Sequence, residues 1–255
     1  MPRVMVIAGT SDARGIIGEL IKNGKEVIAT VTTSYGKELL EEYRAMEVYQ
    51  GKLNAEEMLN LITAKGISCM VDASHPFARE ASVNAIDACS RAKIPYLRYE
   101  RSSTNREEDF IIRVKSFEEA AQRASQFKGN ILLAIGSNNL KFFIDKIPDY
   151  KERIFARILP DSRMVAKCEV AGFTAGNIIA VQGPFSVDMN VAMLKHCNAS
   201  LMITKESGDT GGTDEKLEAA ARLNIPVIMV ERPQIDYGRK VSTVLEVLDF
   251  VNKLK

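Results

Sequence analysis

The densest group of residues able to do chemistry is Thr204-Lys-Glu-Ser-Gly-x-x-Gly-Gly-x-x-Glu-Lys216. It lies between an apolar run, Leu201–Ile203, and a helical pattern whose stripe is Leu217, Ala220, Ala221 and Leu223. Glycines between a strand and a helix (here Gly208, Gly211 and Gly212) let backbone approach a ligand closely. The helix start then offers N–H groups to an anion. Lys205 and Lys216 add positive charge, suited to carboxylates or phosphates, with Glu206 and Ser207 between them. The plainer alternative is a glycine-rich turn capped by Thr213 or Asp214.

Further loops of the same kind follow other short apolar runs. They are Gly9-Thr10-Ser11-Asp-Ala-Arg14, Thr32-Thr33-Ser34, Asp72-Ala-Ser74-His75-Pro76, Gly136-Ser137-Asn-Asn and Gln182-Gly183-Pro-Phe-Ser186. In open parallel sheets, ligands bind beyond the carboxyl ends of the strands, where these loops fall. The Gly9 loop lacks the three-glycine dinucleotide fingerprint, because Gly15 and Gly18 lie inside the helix, with Gly18 expected to allow close helix–strand packing. The second strand ends in hydroxyls, without the carboxylate that grips a ribose 2′-hydroxyl. That leans toward NADPH without excluding NADH. His75, held extended before Pro76, is read as a ligand contact in preference to a surface cap. Asp72 is read as a turn cap and Phe185 as a core plug. Arg101 and Arg232 are either solvated or anion contacts.

Short apolar runs alternating with amphipathic helices must position these loops, which argues a parallel sheet covered on both faces. The pattern recurs: Gly9-Thr-Ser parallels Gly136-Ser-Asn, and Ile94-Pro-Tyr-Leu-Arg-Tyr-Glu-Arg101 parallels Ile225-Pro-Val-Ile-Met-Val-Glu-Arg232 at nearly the same spacing. The expected architecture is α/β, with two Rossmann-like, doubly wound lobes spanning 1–128 and 129–255 and a ligand cleft between them. Phe110–Val114 is expected as an edge strand of the first lobe, and the helix through Val244, Leu248 and Val251 closes the second.

A net charge of +1 over 255 residues gives no bulk attraction for nucleic acid or membrane. Four scattered cysteines and two histidines make no zinc spacing, so no metal site is expected. The strand pattern beginning at Arg3 leaves no room for a signal peptide, and no apolar run approaches spanning length; a cytoplasmic protein is expected.

In their order and spacing, these motifs closely resemble the precorrin-6A reductase family of cobalamin biosynthesis. The most specific is the 204–216 segment followed by Ala219-Ala220 and Ile225-Pro226. The resemblance implies a reductase that transfers a hydride from NADPH or NADH to one double bond of precorrin-6A, a poly-acid tetrapyrrole, or of its cobalt complex. On that basis Gly9, Thr10, Ser11, Arg14, Thr32, Thr33, Ser34 and Ser74 are expected at the cofactor. Gly136, Ser137, Gln182, Gly183, Lys205, Glu206, Ser207, Gly208, Gly211, Gly212 and Lys216 are expected at the substrate. His75, Lys205 or water would deliver the proton. A short-chain dehydrogenase is excluded, since no tyrosine has lysine four places on. The alternative is a non-catalytic nucleotide- or solute-binding protein with two α/β lobes, which would not oxidise a nicotinamide.

Overall fold

Val4 and Val6 face one side of the first strand and Met5 and Ile7 the other, and all four are buried. A strand hidden on both faces belongs inside a parallel sheet with helices above and below. The computed structural model describes residues 2–43, 47–101 and 108–254. It divides into two units, Met1–Ser102 with Gln234–Lys255 and Ser103–Pro233.

The first unit runs β1 (Arg3–Ile7), α1 (Ser11–Lys22), β2 (Glu26–Val31), α2 (Ser34–Glu38), β3 (Glu47–Gln50), α3 (Ala55–Lys65), β4 (Cys69–Asp72), α4 (Arg79–Ala92) and β5 (Tyr96–Tyr99). The second holds β6 (Ile111–Val114), α5 (Phe117–Ala124), β7 (Asn130–Leu133), α6 (Leu140–Ile144), α7 (Tyr150–Arg153), β8 (Ile154–Ile158), α8 (Ser162–Val170), β9 (Ile178–Ala180), α9 (Val187–His196), β10 (Ala199–Lys205), α10 (Thr213–Arg222) and β11 (Val227–Val230). The chain then returns to the first unit with β12 (Lys240–Val241) and α11 (Val244–Asn252).

Each unit has one six-stranded sheet, ordered β3-β2-β1-β4-β5-β12 and β9-β8-β7-β10-β11-β6, and every strand pair is parallel. Both follow the doubly wound order, whose topological switch point lies between β1 and β4 in one sheet and between β7 and β10 in the other. Caps set several helix starts. Thr10 caps α1, Asn54 and Glu57 form a capping box on α3, and Thr243 and Glu246 form another on α11. On one face of the first sheet, Ile16, Ile17 and Leu20 of α1 join Val247, Phe250 and Val251 of α11. On the other, Met58 and Ile62 of α3 join Ala85 and Ala88 of α4.

The expected division at 128/129 is corrected by the pairing of the sixth strands. β6 hydrogen-bonds β11 and so belongs to the second unit, while β12 pairs with β5 and carries α11 back to the first. A simple tandem repeat would leave β6 beside β5 and β12 beside β11; here the two are exchanged. Among the described residues no helix is long and apolar enough to cross a membrane.

Candidate functional site

In the first unit, the loops after β1 and β4 meet at the switch point. The Thr10 hydroxyl accepts from the Ala13 N–H at 3.2 Å and donates to the Ala73 carbonyl at 3.1 Å, tying the two loops together. A Cβ on Gly9 would meet no atom within 4 Å, and its φ lies outside the left-handed region, so no contact inside the chain requires glycine there. Thr10, Asp12, Ser74, Pro76, Arg98 and Arg101 line a shallow crevice at this point. Arg101 pairs with Asp12 at 3.2 Å, offsetting the acid in the first turn of α1.

Asp72, read from sequence as a turn cap, does cap the turn at Ser74 and is also the centre of a buried network. One carboxylate oxygen accepts from the Ser74 N–H at 3.0 Å and faces Arg98 Nη1 at 3.0 Å. The other accepts from the hydroxyls of Ser82 at 2.6 Å and Tyr96 at 2.7 Å. Arg98 Nη1 also donates to Ser74 Oγ at 3.1 Å, and its guanidinium stands 5.0 Å from the Tyr237 ring centroid. Arg98 Nε makes no hydrogen bond, and Nη2 faces the Glu100 carboxylate at 3.8 Å. Burial and the Asp72 charge push the Tyr96 hydroxyl well above the usual phenol range.

His75 Nδ1 accepts from the Phe77 N–H at 3.1 Å, so the neutral ring carries its proton on Nε2. Helix α4 starts at Arg79, three residues after Pro76. Thr33 caps α2 through the Gly36 N–H at 3.0 Å, with Thr32 and Ser34 exposed at the end of β2 and Ser11 exposed at the start of α1. The Arg14 carbonyl accepts from the Tyr43 hydroxyl at 3.2 Å, and Gly18 makes room for that ring, not for a strand as expected.

In the second unit, Gly136 adopts φ 79° and ψ −179°, a conformation essentially confined to glycine. Ser137 is buried and donates to Met164 Sδ at 2.9 Å. Gln182 and Gly183 are exposed beyond β9. Across the switch point, the Ser207 N–H donates to the Thr213 hydroxyl at 3.2 Å and Glu206 pairs with Arg232 at 2.9 Å. Gly208 and Gly212 have positive φ. Neither Thr213 nor Asp214 caps α10. Gly212 precedes the helix in the left-handed conformation, and Thr213 is its first residue. A Cβ on Gly211 would stand 2.1 Å from Ser207 Cβ. Gly211→Ala is therefore expected to displace the loop and lower stability by about 1–3 kcal/mol, read by chemical denaturation; an unchanged midpoint would disprove the clash.

Lys205 and Lys216 are both drawn into this loop region. Lys216 is 7% exposed and donates to the Gly211 carbonyl at 2.6 Å. Burial pushes Lys205 down to about 8. Burial, with repulsion from Arg157 and Lys205, pushes Lys216 down to about 7. The unfolded chain holds the Lys216 proton up to the usual lysine range, whereas the folded chain releases it above about 7. The unfolded state thus binds more protons, and stability should rise from about pH 7 toward the ordinary lysine value of 10.5. Lys216→Met is expected to raise the ligand-free melting temperature at neutral pH and to flatten that rise. A wild-type and variant difference independent of pH would contradict it.

Two buried arginines escaped the sequence reading, Arg98 on β5 and Arg157 on β8. The available signal was a lone charge inside the runs Tyr96-Leu-Arg-Tyr99 and Ile154-Phe-Ala-Arg-Ile158. Phe185, read as a core plug, is only partly buried and lies 5.0 Å from the Arg157 guanidinium. Arg101 and Arg232, each read as solvated or anion-binding, are ion-paired to carboxylates of their own units.

A model of the family described as precorrin-6x reductase CbiJ/CobK matches residues 3–252. The cobalt-precorrin-6A reductase of Priestia megaterium is 43% identical over 247 residues, covering 96% of this chain and 96% of that protein. The protein of the same name from Methanothermobacter thermautotrophicus is 39% identical over 259 residues, covering 98% and 84% respectively. Among solved structures, CobK precorrin-6A reductase superposes with a TM-score of 0.77 at 21% identity, covering 99% of this chain and 96% of that one, which supports the fold.

Proposed function

The chain belongs to the precorrin-6x reductase family of cobalamin biosynthesis, and from that premise we propose that it reduces one double bond of cobalt-precorrin-6A with NADPH or NADH, in the cytoplasm. The observation that carries this reading is a pair of doubly wound sheets with differently equipped switch points. The first is lined by hydroxyls and an open glycine, the second by glycines and desolvated cations.

A nicotinamide dinucleotide supplies the hydride when bound. The residues of the first unit fit such a group. Gly9 leaves space at the tip of β1, the start of α1 offers backbone N–H groups, and Arg98 lines the crevice with its Nε making no hydrogen bond. Gly9, Thr10, Ser11 and Arg14 would hold the diphosphate. Thr32, Thr33 and Ser34, at the tip of β2, would meet the adenosine ribose, where hydroxyls instead of a carboxylate favour a 2′-phosphate and hence NADPH. Ser74, fixed by Asp72 and Arg98, would orient the nicotinamide end.

The second unit takes the substrate. Its acetate and propionate groups need cations and N–H donors, which Lys205, Lys216 and the loops at Gly136–Ser137, Gln182–Gly183 and Ser207–Gly212 provide. Glu206 holds Arg232 and so keeps the loop in place. The proton comes from His75 Nε2, from Lys205 Nζ or from water. Nicotinamide absorbance followed with cobalt-precorrin-6A and each cofactor in turn tests the proposal. Oxidation is expected, faster with NADPH; none with either cofactor would refute the reading. If His75→Ala and Lys205→Ala each retained full turnover at saturating substrate, water would be the donor.

A further inference from the structure

Arg157 is 7% exposed and sits near the carboxyl end of β8, in the strand next to β7. Its Nη1 donates to Asn190 Oδ1 at 2.7 Å and approaches Met193 Sδ at 3.4 Å, while its guanidinium lies over the Phe185 ring. Asn190 is itself held, donating from Nδ2 to the carbonyls of Phe185 at 3.3 Å and Ser186 at 2.9 Å. The turn after β9 therefore orients the arginine through neutral groups alone.

Among the described residues neither Arg157 nor Lys216 forms an ion pair, yet Lys216 feels the positive charge of both Arg157 and Lys205. The carboxylate that acts on Lys216 is its neighbour Glu215, and none acts on Arg157. Burying a guanidinium without a counter-ion is unfavourable, and burial pushes Arg157 down to about 10. A planar fork oriented in advance, sharing the carboxyl edge of neighbouring strands with Lys205 and within electrostatic reach of Lys216, matches the needs of oxyanion recognition. Holding the apolar core would ask for none of that.

We propose that Arg157, together with Lys205 and Lys216, forms an oxyanion subsite at the carboxyl edge of the second sheet, in which the guanidinium grips one carboxylate of the tetrapyrrole. The inference rests on the functional reading above for the identity of that carboxylate. The same chemistry would accept a phosphate of the dinucleotide, so the test separates the two sources.

Full-length wild type, Arg157→Gln and Arg157→Lys are titrated calorimetrically with uroporphyrin, a porphyrin octacarboxylate, and separately with NADPH. Arg157→Gln is expected to weaken porphyrin binding by roughly tenfold or more and to leave NADPH within about twofold. Arg157→Lys should recover only part of the loss, because lysine keeps the charge without the fork. The ligand-free melting temperature of Arg157→Gln should not fall, since no carboxylate loses a partner, while the melting shift caused by porphyrin should shrink. Unchanged porphyrin affinity would overturn the subsite, as would absence of porphyrin binding by the wild type. Weakened NADPH with intact porphyrin binding would move the site to the cofactor and overturn the carboxylate assignment. A lowered melting temperature with both ligands weakened alike would reveal a structural role and overturn it as well. Turnover of cobalt-precorrin-6A by the wild type reports on the reductase reading alone. An active wild type whose Arg157→Gln variant keeps its porphyrin affinity would sink only the subsite.

Discussion

A chain ended at Pro233 is expected to leave the first unit unfolded, although the loss is only the last 22 residues and β1 to β5 are intact. Those residues supply the sixth strand of the first sheet, through the Arg98 N–H to the Arg239 carbonyl at 3.0 Å and the Glu100 N–H to the Val241 carbonyl at 2.9 Å. They also supply α11, whose Val247, Phe250 and Val251 are buried against Ile16, Ile17 and Leu20 of α1. Each such side chain contributes about 1.5–3 kcal/mol by burial. Three of them, with the strand, are comparable to the whole net stability of a domain, about 5–15 kcal/mol. The second unit loses none of its own strands, since its sixth is β6. Limited proteolysis of the truncated protein should therefore remove residues from the first unit and leave a resistant fragment beginning near β6. A soluble product whose first 102 residues resist digestion as in the full chain would show that the returning segment is dispensable.

Arg98→Met should lower stability by about 3–5 kcal/mol, the range for removing one partner of a buried pair. Both Arg98 and Asp72 are fully buried, and without the guanidinium the Asp72 carboxylate would keep only neutral donors, Ser74, Ser82 and Tyr96. The Ser74 hydroxyl would lose its donor, and Tyr237 the cation against its ring. Adding Asp72→Asn removes the stranded charge, so the double variant should be more stable than Arg98→Met alone. That non-additivity is what a coupled pair requires. Urea denaturation of the two single variants and the double variant measures it. A loss below about 1 kcal/mol, or strict additivity, would mean the pair holds nothing together. Because Ser74 and the Thr10–Ala73 bond share this loop, NADPH affinity should fall with Arg98→Met as well.

The sequence by itself determined the alternation of strands and helices, and with it the loops that fall at the carboxyl ends. Apolar runs such as Val4–Ile7 and Leu201–Ile203, with glycines and caps between, encode that locally. The repeat is legible too, because Gly9 and Gly136 follow β1 and β7, which hold equivalent positions in the two sheets. Only the tertiary structure decided which sheet receives each sixth strand. β6 and β12 are short edge strands, and a run of two to four residues carries no mark of its partner. The exchange is therefore invisible in the sequence, where the near-constant offset of the repeat places the boundary at 128/129. The same limit hid Arg157 and Arg98. A charge in a strand reads as an exposed edge until α9 and Phe185 cover one and Tyr237, returning from the far end of the chain, covers the other. Burial of a polar group depends on neighbours distant in sequence, and so do the depressed proton affinities of Lys205 and Lys216.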